Sequence, residues 1–120
     1  MRHILIVEDD KDMQEIYRSM FDGEKEYSAE IMGDAEKAFE ALKKNNFRAV
    51  VLDIIMEPMS GDSFFVHVRN DKKTKNITIV VVSILKQDTL EFLEKLGGFS
   101  YLQKPITKER LLKKLEAVTK

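Results

Sequence analysis

Three short runs of almost wholly apolar residues constrain the fold of this chain more than any other feature of its sequence. They are Ile4 to Val7, Ala49 to Leu52 and Ile77 to Val82, and all are rich in β-branched residues. Strands that are buried on both faces have this composition, which is typical of parallel sheets. We therefore predict a parallel sheet that contains these three strands.

Segments between and after these runs show the spacing of amphipathic helices, in which apolar residues recur every three or four positions. The first helix follows Asp10 and is stopped by Gly23. Asp34 and Thr107 are suitable N-caps for the second and fifth helices, and the third begins near Asp62. The residues expected to face the core are Met13, Ile16, Tyr17, Met20 and Phe21 in the first helix, Ala35, Ala38, Phe39 and Leu42 in the second, Phe64, Phe65 and Val68 in the third, Leu90, Leu93 and Leu96 in the fourth, and Leu111, Leu112, Leu115 and Val118 in the fifth.

Two weaker strands, at Tyr27 to Met32 and Phe99 to Leu102, complete an alternation of five strands with five helices. Such an alternation implies right-handed crossovers and a parallel sheet covered by helices on both faces. Phe92 falls off the apolar stripe of the fourth helix, so it is either exposed or, as we expect, buried by a wider core face. We predict one α/β domain over residues 1–120, with its functional groups beyond the carboxyl ends of the strands.

Composition excludes several classes of function. The chain has 120 residues and no cysteine, which removes thiol catalysis, cysteine-ligated zinc and redox switching. Its formal net charge is −1 and both signs are spread along the chain, so no basic field is expected to attract nucleic acid or an anionic membrane. No apolar run approaches the roughly 20 residues that span a bilayer, and the N-terminal run is too short for a signal peptide. We therefore expect a cytoplasmic protein.

Polar side chains follow four of the predicted strands. Glu8 and Asp9 come directly after the first strand, Asp53 ends the third, Ser83 ends the fourth, and Lys104 follows the fifth. Carboxylates held close together need a cation or a proton to offset their repulsion, and hard oxygen ligands suit Mg²⁺ or Mn²⁺. We predict a divalent-cation site at this edge of the sheet.

Each of these residues has two interpretations. Asp53 is either a plain turn residue or a nucleophilic carboxylate at the rim of a rigid sheet, able to form an aspartyl-phosphate. Ser83 either bonds to local backbone or donates to a phosphoryl oxygen. Lys104, which Pro105 holds extended, is either a surface charge or the cation that neutralises a phosphoryl group. For Asp10 we prefer the N-cap of the first helix.

The order and approximate spacing of these residues resemble the receiver domain of bacterial and archaeal response regulators, over essentially the whole chain. The matching pattern is the acid pair after the first strand, Asp53 with Met56 and Gly61 behind it, Ser83, and Lys104 with Pro105. The resemblance implies a flavodoxin-like, doubly wound sheet of order 2-1-3-4-5 with five helices. It also implies a switch in two-component signalling that catalyses only its own phosphorylation and slow autodephosphorylation, rather than an enzyme acting on external substrates.

The same resemblance implies a role for each matching residue. Asp53 would be the phosphoacceptor, and Ser83 and Lys104 would hold phosphoryl oxygens. Ser83 would act as the switch together with Tyr101, for which a fixed, half-buried position on the last strand is the alternative. The implied ligands of Mg²⁺ or Mn²⁺ are Glu8, Asp9, Asp53 and the backbone carbonyl of Ile55.

The implied partners are a histidine kinase or phosphotransfer protein, which donates the phosphoryl group, and a downstream target protein. The target would read the surface of the fourth helix, fifth strand and fifth helix, where Leu90, Phe92 and Tyr101 are candidate contacts. The resemblance also allows a homodimer through the fourth helix, and no contact with nucleic acid or membrane is expected for this domain. The fifth helix reaches the last residues, which fits a stand-alone receiver and a piece of a longer regulator or hybrid kinase equally well.

Two departures from the family pattern concern the surroundings of the phosphoacceptor. Pro58 stands one position later than the family's proline, which predicts a reshaped loop with Glu57 in it. Ile84 follows the serine where the family usually has a small residue. We expect Ile84, together with Ile55 and Leu85, to shield the phosphoryl group from water and to give a long-lived aspartyl-phosphate.

Three other classes of function share parts of this pattern. A flavin-binding, flavodoxin-like domain would need a hydroxyl- and glycine-rich cradle after the first strand, where this chain carries Glu8, Asp9 and Asp10. An aspartyl phosphatase or hydrolase often uses a second acid two residues beyond its nucleophile, where this chain has Ile55. A receiver that binds partners without phosphorylation would not need the aspartate, serine and lysine that this chain retains.

Overall fold

The computed structural model describes residues 1–54 and 61–119 and shows strands alternating with helices. Ile55, Met56, Glu57 and Pro58 lie outside the described residues. The longest helices of the described ranges have 11 residues, and none there is long and apolar enough to cross a membrane. The elements are β1 (Arg2–Val7), α1 (Lys11–Phe21), β2 (Tyr27–Met32), α2 (Ala35–Lys44), β3 (Ala49–Asp53), α3 (Gly61–Asn70), β4 (Thr78–Ser83), a 3₁₀ turn (Gln87–Leu90), α4 (Glu91–Glu94), β5 (Ser100–Gln103) and α5 (Lys108–Val118).

The five strands form one sheet of order β2-β1-β3-β4-β5 in which every pairing is parallel. This order confirms the predicted doubly wound, flavodoxin-like sheet. The chain moves outward from β1 to β2 and then returns to the other side of β1 to add β3. The strand order therefore reverses between β1 and β3, and ligands of such sheets bind beside the carboxyl ends of the strands at that point.

Side chains alternate along each strand, so every central strand contributes to two cores. Leu5 and Val50 lie on the face covered by α2, α3 and the 3₁₀ turn, whereas Ile4 and Val51 lie on the face covered by α1 and α5. All four side chains are completely buried. Burial on both faces explains why the three apolar runs contain so few polar residues.

Helix starts follow the predicted caps. The side chains of Asp10, Asp34 and Thr107 each accept a hydrogen bond from a backbone N–H in the first turn of α1, α2 and α5. Each bond satisfies a donor that has no partner within the helix. The third helix begins at Gly61, one residue before its predicted start.

The fourth helical segment differs from the prediction, because its α-helical part is a single turn that ends at Glu94. The helical spacing therefore does not continue to Leu96, whose side chain is 42% exposed rather than buried. The prediction that Phe92 belongs to the core is also wrong, since it is 50% exposed. Leu90 is only 1% exposed, so it is not available as a contact for a target protein.

Candidate functional site

The carboxyl ends of four strands meet at one edge of the sheet and carry polar residues. Glu8 follows β1, Asp53 and Ser83 are the last residues of β3 and β4, and Lys104 follows β5. The backbone N–H of Lys104 donates to the carbonyl of Ser83 at 2.8 Å, which holds the β5–α5 loop against the end of β4. The sheet therefore brings all four residues to the edge where the strand order reverses.

The ammonium group of Lys104 contacts two buried carboxylates. Its Nζ lies 2.7 Å from Oδ2 of Asp53 and 3.7 Å from Oε1 of Glu8. Asp53 is 6% exposed and Glu8 is 1% exposed, so both acids are almost fully withdrawn from water. One positive charge is thus shared by two acidic groups.

Burial and the neighbouring acidic charge change the protonation of the site. Burial raises the pKa of Glu8 to about 7, and the charge of Asp53 and a hydrogen bond with it act in the same direction. Burial by itself lowers the pKa of Lys104, but the hydrogen bond to Asp53 and the nearby acidic charges outweigh it, so that pKa is raised. Lys104 is therefore charged at neutral pH, whereas Glu8 is close to its midpoint.

A hard cation would supply the missing charge. Oε1 of Glu8 is buried and has no hydrogen-bond partner within the described ranges, which leaves an oxygen lone pair for a metal ion or its bound water. Asp9 follows in the loop and is half buried, while the carbonyl expected from Ile55 lies outside the described residues. Across residues 1–54 and 61–119, no three acidic or histidine side chains form a ready metal cluster. The donors fit Mg²⁺ in chemical type, as oxygen ligands, without forming a three-carboxylate cage.

Asp10 has a different position from its acidic neighbours. It is exposed, and its carboxylate accepts a hydrogen bond from the N–H of Met13 at 3.3 Å. Its own N–H donates to Oε2 of Glu8 at 3.3 Å, and Nε2 of Gln14 donates to the Glu8 carbonyl at 2.6 Å. The start of α1 therefore fixes Glu8 in place, and Asp10 is the helix cap that the sequence predicts.

Ser83 and Tyr101 are connected through the backbone of a single residue. The N–H of Leu85 donates to Oγ of Ser83 at 3.0 Å, and the Leu85 carbonyl accepts a hydrogen bond from the Tyr101 hydroxyl. Ser83 is 1% exposed and Tyr101 is half buried. A displacement of the serine hydroxyl would therefore act on the tyrosine through one intervening backbone unit.

An apolar groove of about 380 Å³, which the spacing of the residues does not predict, opens beside Lys104. The helical spacing predicts Ile16 in the core, but its side chain lines this groove and is 45% exposed. Tyr17 occupies the buried face of α1, and successive helical residues point about 100° apart. Ile84 also lines the groove, and its side chain is 67% exposed. The lining is completed by Met13, Pro105 and Ile106.

Tyr17 lies near the carboxylates of Glu8 and Asp53. The helical pattern predicts only that its side chain belongs to the core. Its hydroxyl is buried and has no hydrogen-bond partner among the described residues. Burial raises the pKa of Tyr17, and the charges of Glu8 and Asp53 raise it further. The hydroxyl therefore lies within electrostatic reach of both carboxylates.

Comparison with known proteins yields one family. The family model described as response regulator receiver domain matches residues 4–116. The transcriptional regulatory protein RprY of Bacteroides fragilis is 33% identical over 115 residues, which cover 96% of this chain and 48% of RprY. The response regulator MprA of a Mycobacterium species is 30% identical over 117 residues, 96% of this chain and 49% of MprA. The chain thus spans about half the length of these curated relatives.

Solved structures with the same fold cover nearly the whole chain. The chemotaxis protein CheY4 of Vibrio cholerae superposes with a TM-score of 0.88 at 24% identity, over 98% of both chains. The receiver domain of the sensor histidine kinase PA1611 of Pseudomonas aeruginosa gives a TM-score of 0.84 at 22% identity, over 98% of this chain and 97% of that domain. That structure has a magnesium ion coordinated in its active-site cleft.

Proposed function

This chain belongs to the response regulator receiver domain family, and we propose that it accepts a phosphoryl group on Asp53 as part of a two-component phosphorelay. The observation that carries the proposal is the position of Asp53. Its carboxylate closes a fully buried strand and lies 2.7 Å from the Lys104 ammonium. A nucleophile needs this kind of fixed position, and phosphoryl transfer depends mainly on positioning and charge neutralisation.

The transfer follows from the contacts around Asp53. A carboxylate oxygen would form the new bond to phosphorus while the bond from phosphorus to a histidine nitrogen of the donor breaks. Lys104 would hold a phosphoryl oxygen in place of its present contact with Asp53, and Ser83 would donate its hydroxyl to another. Mg²⁺, when bound by Glu8, Asp9, Asp53 and the carbonyl of Ile55, supplies positive charge to the phosphoryl group.

The output follows from the link between Ser83 and Tyr101. If the Ser83 side chain turns toward the phosphoryl group to donate its hydroxyl, its Oγ would move away from the Leu85 N–H that now donates to it. The Leu85 carbonyl would move with it and release the Tyr101 hydroxyl. The surface of α4, β5 and α5 would change, with Phe92 and Tyr101 as accessible contacts for a target protein.

Partners are proposed on the same basis. The phosphoryl donor is a histidine kinase or phosphotransfer protein, and the apolar groove supports this because Lys104 lines the groove and also contacts Asp53. A helix of the donor seated on Ile16 and Ile84 would lie beside the phosphoacceptor. We propose a signalling switch with no external substrate, while a cytoplasmic location and a homodimer stay predictions.

Incubation with acetyl phosphate and Mg²⁺, followed by intact mass measurement, tests this function. We expect the wild-type chain to gain the mass of one phosphoryl group, which should be absent in Asp53→Asn and in the presence of excess EDTA. Asp10→Asn is the matched control. Asp10 lies in the same loop as Glu8 and Asp9 but caps α1, so this variant should be labelled like the wild type. A folded wild-type protein that gains no mass would contradict the proposal and favour a receiver that works without phosphorylation.

A further inference from the structure

A second groove lies at the opposite end of the sheet from Asp53. It has a volume of about 550 Å³ and is formed by the α2–β3 and α3–β4 connections, at the amino ends of β3 and β4. The length of β3, five residues, places it about 15 Å from the phosphoacceptor site. We propose that this groove binds an acidic, extended segment of a partner protein.

Positive charge in the groove carries the proposal. Residues distant in sequence meet here because α2 and α3 lie on the same face of the sheet and β3 pairs with β4. Within the described ranges no acidic residue lines the groove. The basic residues of its lining are Lys43, Lys44, Arg48, Lys72 and Lys73.

Most of this charge is uncompensated. Lys43 pairs with Glu40 at 3.1 Å, whereas Lys44, Lys72 and Lys73 are exposed and form no ion pair with any described residue. The nearby Asp71 carboxylate accepts a hydrogen bond from the backbone N–H of Lys73 at 2.8 Å rather than meeting an ammonium group. Exposed lysines this close together repel one another, and an anionic ligand removes that repulsion.

Other groups of the lining favour a polypeptide over a nucleic acid. Asn46 and Asn76 are exposed, and their amides offer both donors and acceptors for a peptide backbone. Phe47, the aromatic residue of the lining, is 9% exposed and its ring stacks on His3 at 4.7 Å between centroids. Its ring is therefore too buried to serve as the stacking platform that single-strand binding sites combine with positive charge.

The test measures binding of a fluorescein-labelled oligoglutamate peptide by fluorescence anisotropy at about 50 mM and about 200 mM NaCl, where screening differs markedly. Wild type should bind, more weakly at the higher salt concentration. The triple variant K44E/K72E/K73E should lose roughly tenfold or more in affinity. The matched control K25E/K95E/K113E reverses three exposed lysines outside the groove, and should lose about twofold or less.

Equal losses in the two triple variants would show attraction to overall charge and overturn the proposal, as would absence of binding by the wild type. Tighter binding of inorganic polyphosphate or single-stranded DNA than of the peptide would overturn the assignment to a protein partner. Amide chemical shifts of Asn46 and Asn76 in the wild type should change on peptide addition, which locates the site without any substitution. Asp53→Asn should bind the peptide like wild type, so this result is independent of phosphorylation.

Discussion

Nζ of Lys104 reaches Oδ2 of Asp53 at 2.7 Å although the two residues are 51 positions apart in the sequence. The same ammonium lies 3.7 Å from Oε1 of Glu8, so its removal takes away a positive charge that contacts two buried carboxylates. We expect Lys104→Ala to lower the free energy of unfolding of the metal-free protein by about 2 kcal/mol at neutral pH, because an uncompensated buried charge is costly. Urea unfolding measures this loss, and added Mg²⁺ should restore part of it.

Lys108→Ala is the control for that substitution. Lys108 pairs with Glu24 at 3.0 Å, but its side chain is 47% exposed. Pairs in water contribute little, so the change should stay within about 0.5 kcal/mol. Equal effects of the two substitutions would mean that the pair at Asp53 is no stronger than a surface contact.

Glu8 should make the stability of the metal-free protein depend on pH in one direction. Burial raises its pKa from 4.5 to about 7, so between these values the folded protein holds a proton that the unfolded chain has released. The stability linked to this proton is fully present below about pH 4.5 and is lost as the pH rises through about 7. Glu8→Gln removes the titrating group and with it this loss.

Between about pH 4.5 and about pH 8 the wild type should therefore lose about 3 kcal/mol of stability relative to Glu8→Gln. This figure follows from the raised pKa of Glu8, since one pKa unit corresponds to about 1.4 kcal/mol. Urea unfolding with EDTA at several pH values measures the difference. Two curves that stay parallel over this range would contradict the raised pKa of Glu8.

Tyr17→Phe should stabilise the protein. The Tyr17 hydroxyl is buried without a partner in the described part of the chain, so its loss removes an unsatisfied polar group while the ring remains. We expect a gain of about 1 kcal/mol in the free energy of unfolding, measured by urea titration.

Tyr27→Phe provides the opposite case. The Tyr27 hydroxyl accepts a hydrogen bond from Arg2 at 2.6 Å and donates to Glu116 at 3.0 Å. Its removal should lower the free energy of unfolding by about 1 kcal/mol. If both variants lose stability, the Tyr17 hydroxyl has a partner in solution, such as an ordered water.

Ile84→Ala should shorten the lifetime of the aspartyl-phosphate severalfold. Ile84 directly follows the serine of the site, and on the shielding hypothesis its apolar side chain would restrict the approach of water to the phosphoryl group. Loss of the phosphoryl mass over time, after removal of acetyl phosphate, gives the rate. Ile16→Ala is the control, because it changes the α1 side of the same groove, and it should dephosphorylate like wild type. An unchanged dephosphorylation rate in Ile84→Ala would contradict the shielding hypothesis.

The sheet was predictable because burial on both faces leaves a direct mark on the sequence. Runs such as Ile4 to Val7 contain no polar position, and the rule for strand ends then brings Asp53 and Lys104 to the same edge. The helical stripes were less informative. The pattern includes Ile16 and Leu96, but Tyr17 takes the buried face in one case and the helix ends early in the other.

Electrostatic features could not be predicted from spacing alone. The raised pKa of Glu8 depends on burial and on the charge of Asp53, and neither is known before the strands are placed. The basic groove could not be predicted either, because Lys44 and Lys72 line one groove only through the packing of α2 and α3 on the same face of the sheet. The net charge of −1 suggests an even distribution and hides this cluster.

The environment of Tyr101 gives the protein an optical signal of its own. The chain has three tyrosines and no tryptophan, so excitation beyond the phenylalanine absorption band gives emission from tyrosine. Tyr17 and Tyr27 are 1% and 4% exposed, whereas Tyr101 is only partly buried. A dissolved collisional quencher therefore reaches mainly Tyr101, and a turn of this ring away from Leu85 changes the quenched fraction of the emission without any label.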